Sequence, residues 1–299
     1  MANLLYPAST GHNVDDKYSA LVEPNLFAGN VFQPGLTFTD KYQLGAAGQI
    51  FVHKPGVGTV TPSHPGADFS DAIVQDSLIA IALDKQFNRS RKIYQATLAA
   101  VSYPQAASEL ETALAEIKDA WNLQATKNLI GETSILVSSN ISTVAATDGT
   151  DIYAQIVADR QKMRENNANP KVIIVSPSTY AKLLKAPEFQ RSTFISDQAI
   201  ADGVVGRIAG LDVFEYENLD AAAVDGATIG GITWATADEL EYVIYDPEAF
   251  SIVTSVEAVR LVEEPTRFVG VLAQVQIVSG FKLTNPKRAL LKYHDASAT

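Results

Sequence analysis

Between Val172 and Tyr216 the chain reads V-I-I-V-S-P-S-T-Y-A-K-L-L-K, a spacer, and then D-G-V-V-G-R-I-A-G-L-D-V-F-E-Y. This stretch restricts the fold more than any other. Val172 to Val175 is a short continuous apolar run, suited to a buried strand. Ser176 can cap a helix, and Pro177 takes the first helical position, where its missing N–H costs nothing. Tyr180, Leu183 and Leu184 mark an apolar helical stripe that Pro187 closes. Asp202-Gly203 is a turn signal, Gly206 and Gly210 break up the runs after it, and Leu211 to Tyr216 alternates as a strand.

The clearest helix lies upstream. Leu110, Leu114, Ile117 and Trp121 fall four, three and four residues apart, so they share one face. Ser108 and Glu111 fit a capping box, Pro104 allows a start one turn earlier, and Gly131 is a stop. Roughly 25 residues would span about 37 Å at 1.5 Å per residue. Residues 134–149 read as a Ser/Thr/Asn-rich loop. Thr150 or Asp151 then caps a second helix with Ile152, Ile156 and Met163 on one face, ended by Asn169-Pro170. This alternation of helix and strand predicts a small α/β domain. Beyond about residue 235 the composition turns β-rich. Strands are expected at 241–245, 251–255, 258–262, 268–278, 280–284 and 289–293, with turns at Asp246-Pro247, Glu264-Pro265 and Asn285-Pro286.

Two regions lack a core of their own. Residues 1–44 are punctuated by Pro7, Pro24, Gly29, Pro34 and Gly35, yet carry Leu26, Phe27, Val31, Phe32, Leu36 and Phe38. That aromatic content favours an arm lying along another surface over a disordered tail. Gln49 to His53 and Leu78 to Leu83 read as strands joined by a long Pro/Gly-rich turn that starts at Lys54-Pro55-Gly56. A long hairpin without a core must lean on something outside itself.

With 299 residues and 46% hydrophobic content, the chain can bury a large core in one or two domains. It has no cysteine, which excludes disulfides, thiolate zinc sites and a cysteine nucleophile. A net charge of −11 argues against tight nucleic-acid binding by the folded body. The one local basic group, Arg89, Arg91 and Lys92, reads as a solvated turn. The N-terminus lacks the basic and apolar regions of a signal peptide, and no run approaches the ~20 apolar residues of a membrane span. A soluble protein, cytoplasmic when made, is expected. The four histidines are scattered, and no H-E-x-x-H, phosphate loop, dinucleotide fingerprint or G-x-S-x-G is present. Glu263-Glu264 would point to opposite faces of a strand. No catalytic residue, cofactor or metal is expected. Trp121 and Tyr180 read as core packing.

The strand, short helix and glycine-punctuated hairpin resemble the axial domain of tailed-bacteriophage major capsid proteins, the Hong Kong 97-type fold. Val172 to Val175, Pro177, Tyr180 to Leu184, Gly203, Gly206, Ile208, Gly210 and Val213 carry the match. The resemblance implies an α+β fold. Its parts would be an N-terminal arm (1–44), an extended loop (45–90) and a peripheral domain with a spine helix (91–140). An axial α/β domain (141–235), a β-rich peripheral segment (236–280) and a C-terminal return to the axial domain (281–299) would complete it. Structural or assembly roles fall to Gly203, Gly206, Gly210, Pro177, Tyr180, Trp121, Lys54, Pro55 and Gly56. The implied function is self-assembly into pentamers and hexamers of an icosahedral virion shell. That shell would enclose double-stranded DNA without reading its sequence, with a separate scaffolding protein and a portal as partners. An encapsulin-like compartment subunit is the alternative on the same fold, and a cytoplasmic α/β enzyme the alternative of another class.

Overall fold

The structure is a computed structural model and describes residues 31–39, 49–54, 77–94, 105–132, 134–140, 149–185, 206–222, 226, 228–229, 232–235, 239–263 and 269–294. Strands β1 (Gln49–Lys54) and β2 (Ser77–Ala82) precede β3 (Lys85–Tyr94) and helix α1 (Gln105–Ile130). Next come β4 (Leu136–Asn140), α2 (Gly149–Glu165), β5 (Val172–Val175), α3 (Pro177–Leu183), β6 (Gly206–Ile208) and β7 (Leu211–Glu215). A small hairpin, β8 (Thr228–Ile229) and β9 (Ile232–Thr233), leads to β10 (Glu239–Tyr245), β11 (Phe250–Glu263), β12 (Gly270–Leu283) and β13 (Ala289–His294).

The motif between Val172 and Tyr216 folds as its residues dictate. All four residues of β5 are buried. The Ser176 hydroxyl accepts from the Thr179 N–H at 3.3 Å, and Pro177 begins α3. Between β6 and β7 the loop is only Ala209 and Gly210, because Ile208 pairs with Leu211. Both loop residues have positive φ, +48° and +79°. A two-residue hairpin loop of this kind matches the right-handed twist of its strands, and glycine meets the second position without strain.

Two layers organise the described residues. A six-stranded mixed sheet has the order β4-β13-β10-β5-β7-β6. In it β4 with β13, and β5 with β7, run parallel, while β10 is antiparallel to both β13 and β5. A three-stranded antiparallel sheet has the order β11-β12-β3, and α1 packs on it. The main core lies between the layers. It joins Ala125, Leu129 and Ile130 of α1, Ile174, Phe214 and Val243 of the larger sheet, and Phe250, Ile252, Phe281 and Leu283 of the smaller one. A second core fills the far face of the larger sheet, where Ile152, Ile156 and Met163 of α2 meet Ile173, Val175 and Val213.

Several sequence expectations change. The basic group at Arg89, Arg91 and Lys92 is not a turn but part of β3, paired along its length with β12. The 134–149 loop contains β4, which has few apolar residues and forms only because β13 lies beside it. Ser108 is not an N-cap: α1 begins at Gln105, and the Ser108 carbonyl accepts from the Thr112 hydroxyl inside the helix. The expected strands at 251–255 and 258–262 are one strand with an irregularity between Thr254 and Val256. The strand expected at 280–284 is the end of β12. Boundaries drawn at residues 90 and 280 therefore pass through β3 and β12. Glu239–Tyr245, grouped by composition with the later β-rich runs, sits instead in the six-stranded sheet. Residues 55–76 of the expected Pro/Gly-rich turn lie outside the described residues.

Candidate assembly surfaces

The β1–β2 hairpin leans on the body through one face. Gln49 pairs with Ala82 and Lys54 with Ser77, so Ile50, Val52, Ile79 and Ile81 share a side. Val52 and Ile81 are buried against Val253, with Ile50, Ile79 and Leu83 around them. Gly280 makes the seat possible, since a Cβ there would collide with the Ala82 carbonyl oxygen. On the other side Phe51 and Leu78 are each 58% exposed. Lys54 ends β1 and is exposed; Pro55 and Gly56 lie outside the described residues.

Part of the N-terminal arm is accounted for within the chain. Val31, Phe32 and Phe38 were expected to require another surface, and they find it on α1 and β11 of the same chain. Phe32 meets Trp121 edge-on at 6.3 Å and Phe250 at 5.7 Å, and Phe38 meets Trp121 at 6.3 Å. The Thr39 N–H donates to the Phe250 carbonyl at 2.9 Å, fixing the segment to the edge of β11. Trp121 is the hub, because its ring also packs on Phe281 at 5.5 Å and its N–H donates to the Ser279 hydroxyl at 2.9 Å.

A clasp of four charges fastens α1 to β3. Arg91 donates to Glu109 at 2.5 Å and also to Glu116, while Arg89 donates to Glu116 at 2.7 Å. Burial works to lower the Arg91 pKa, but the bonds and charges of Glu109 and Glu116 outweigh it and push it up. Composition alone cannot reveal such a clasp. The i, i+2 spacing of the arginines is the signal once 85–94 is read as a strand.

At the end of the larger sheet where β5 and β13 finish, charges are buried. Lys292 of β13 is 4% exposed and Glu241, the bulge residue of β10, is also 4% exposed. Tyr242 donates to Asp159 of α2 at 2.8 Å, and Lys292 lies 3.4 Å from the Ser138 hydroxyl. Burial raises the Glu241 pKa against the opposing charges of Lys182, Lys292 and His294. Burial lowers that of Lys292 against Asp159 and Glu241. Asp159 was legible as a polar residue inside the Ile152–Ile156–Met163 stripe, and Lys292 as the one charge in A-L-L-K-Y. Of the other singled-out residues, Pro177 and Tyr180 lie in α3, and Gly206 and Gly210 bound β6 and its turn. Tyr180 packs against the core on the far face of the larger sheet and Trp121 against the core between the layers; Gly203 is outside the described residues. Among the described residues, no group of acids and histidines could hold a metal, and no helix is long and apolar enough to cross a membrane.

This is a two-layer α+β body with a two-stranded hairpin seated on its smaller sheet and charges buried at one end of its larger sheet. Residues 105–290 match the family model described as phage capsid protein, well over half of the chain, and the chain belongs to that family. No curated protein matches it in sequence. Solved structures share the fold at low identity. The Cyanophage P-SCSP1u capsid structure aligns with a TM-score of 0.70 at 16% identity, covering 99% of both chains. A chain of Mycobacterium phage Che8 gives 0.68 at 15%, covering 94% of this chain and 97% of that one. The capsid of an empty GTA particle gives 0.61 at 15%, covering 99% and 100%. The fold is thus the α+β capsid fold expected from the central motif. The protein is a major capsid protein of a bacteriophage virion, a structural subunit of a many-copy shell and not an enzyme. Family membership replaces both the compartment and the enzyme alternatives.

Proposed function

We propose that copies of this chain join in rings of five and six, which close into an icosahedral head around double-stranded DNA. Assembly takes place in the host cytoplasm on a separate scaffolding protein, and DNA enters through a portal. In this reading α1 is the spine of a peripheral domain with β3, β11 and β12. The six-stranded sheet, including β10 and β13, is the axial domain. Residues 45–82 form the extended loop and the first 44 residues the arm. The net charge of −11 supports a lining that does not hold DNA tightly.

The observation that carries the reading is the hairpin. Its inner face is seated on Val253, and its outer face leaves Phe51 and Leu78 in water. Exposed large side chains on the outer face of a hairpin suit a surface that a neighbouring copy covers. The test is sedimentation with negative-stain microscopy of the chain produced with its scaffold, beside a Phe51→Ser/Leu78→Ser variant. Closed particles from the parent and free, folded subunits from the variant are expected. A parent that stays monomeric with its scaffold, or a variant that assembles at the parental yield, would refute the reading.

A further inference from the structure

The two faces of the smaller sheet differ sharply. Arg89 and Arg91 of β3 and Val275 and Ile277 of β12 meet α1, so the residues alternating with them point away from it. On that far face Gln274 stands between Arg260 of β11 and Ser90 of β3, and Gln276 lies beside Asn88. Asn88, Ser90, Arg260, Gln274 and Gln276 are among the residues lining a cleft of about 460 Å³. The Arg260 Nε–H donates to Gln274 Oε1 at 2.8 Å, which commits that oxygen and leaves the Gln274 amide N–H groups as donors. Among the described residues Arg260 has no acidic partner. No Asp or Glu stands on this face of β3 or β12. A cleft rich in donors and without acids suits a carboxylate or a phosphate.

The charge of the chain is just as unevenly placed. Between Arg207 and Arg260 there are 11 Asp and Glu and no Lys, Arg or His, so this stretch carries the whole net charge of −11 and the remainder balances. Some of these acids are used inside the fold, Asp212 with Arg207 and Asp246 with Arg288. Glu217, Asp220 and Glu239 are exposed, and the Leu240 N–H donates to the Asp220 carboxylate at 3.0 Å, which sets Asp220 beside Glu239. This acidic lobe lies on the α1 side, where the Asn218 amide donates to Asp119 of α1 at 3.2 Å. The cleft opens on the side of the smaller sheet away from α1, so a copy's own lobe does not fill it.

We propose that the Arg260 cleft of one copy receives exposed carboxylates from the 208–259 lobe of the next copy in a ring. Two unlike, complementary surfaces on one chain make a heterologous contact, and such contacts close into rings when the rotation allows it. Charge complementarity favours a second copy over nucleic acid. The copies themselves carry the excess acid that the cleft lacks, and that same excess repels phosphate. A polar contact of this kind governs encounter rate and orientation more than affinity. The outer face of the hairpin, with Phe51 and Leu78, supplies the apolar contact that holds the copies together.

The inference rests on the shell reading for the ring, and the experiment separates the two. The full chain is produced with its scaffold, and particle formation and free-subunit association are followed by sedimentation at low and high salt. Arg260→Glu should form particles at least about tenfold more slowly at low salt. Its thermal midpoint should not change, because the side chain is exposed. Arg260→Gln, which removes only the charge, should fall between it and the parent. Glu217→Lys/Glu239→Lys should be slowed as Arg260→Glu is, and the two sets combined should recover most of the parental rate. High salt should bring the parent down towards the variants. Arg260→Glu assembling and associating as the parent does would overturn the contact and leave the shell reading standing. A combination no faster than its parts, with every variant folded, would also overturn the contact. Salt-sensitive association that the charge swap restores, with no particles under any condition, would count against the shell reading and leave the contact intact. Anisotropy with a short labelled DNA duplex covers the other source of anion. Binding by the parent that Arg260→Glu abolishes, at an unchanged particle yield, would assign the cleft to phosphate and overturn the proposal.

Discussion

Replacing Gly280 by alanine should detach the β1–β2 hairpin without unfolding the body. The added Cβ would collide with the Ala82 carbonyl oxygen, stand 3.1 Å from its carbon and touch Ile81 Cγ2 at 3.4 Å. Backbone atoms cannot rotate away, so one element must move. β12 is held on both sides by long ladders to β11 and β3 and is backed by α1. The hairpin is held to the body by the small cluster of Val52, Ile81 and Val253. The hairpin therefore yields. Overpacking of this kind costs about 1–3 kcal/mol. At 1.4 kcal/mol per tenfold, the ratio of seated to unseated hairpin should fall roughly 5- to 150-fold. Gly280 has no positive φ, so the effect is steric and not one of backbone conformation. Limited proteolysis read at residues 49–82 should show cleavage faster by that factor. The thermal midpoint of the body should shift by only a few degrees, and particle yield should collapse. Unchanged cleavage with normal particles would refute the seating argument, and loss of the whole fold would show that β12 is the element that moves.

Three further outcomes follow from the geometry. Arg91→Ala leaves Glu109 and Glu116, each under a third exposed, with only the half-exposed Arg89 beside them. It should cost about 1–2 kcal/mol in denaturant titrations at low salt and less in molar salt. Ala209→Gly should stabilise by about 0.5–1 kcal/mol, since Ala209 holds φ +48° where glycine is unstrained, and the urea midpoint measures it. Glu241→Gln tests the buried charge. Because the folded pKa is raised above the unfolded one, the native state binds the proton more tightly, and parental stability is lost as pH rises through the window above the ordinary carboxylate range. The variant should lack that loss, so the gap between the two urea midpoints should widen from pH 4 to pH 7. A constant gap would show that Glu241 does not titrate in this way.

The parts of the fold legible in the sequence are those whose signal is local. The Ser176-Pro177 cap, the Gly131 stop, the Gly210 turn and the α1 stripe each depend on residues within one or two turns of chain. β3 was missed because K-Q-F-N-R-S-R-K looks solvated. Its arginines are charged yet face α1, where Glu109 and Glu116 receive them. β4 was missed because its Ser-rich sequence has little strand preference and its pairing partner lies in β13. Apolar arm residues were correctly read as needing a surface, but the surface is the chain's own Trp121.

By itself the sequence determined the elements whose backbone geometry nearby residues impose. It also determined the function class that a cysteine-free, motif-poor chain with a capsid-like strand–helix–hairpin can hold. Only the tertiary structure decided which strands are neighbours, and through that which charges are buried and which hairpin face is left in water. The physical reason is range. Caps and turns are set by dihedral preferences and bonds a few residues apart. Strand pairing and charge burial depend on groups some 150 residues away, such as Ser138 and Lys292, that only the folded chain brings together.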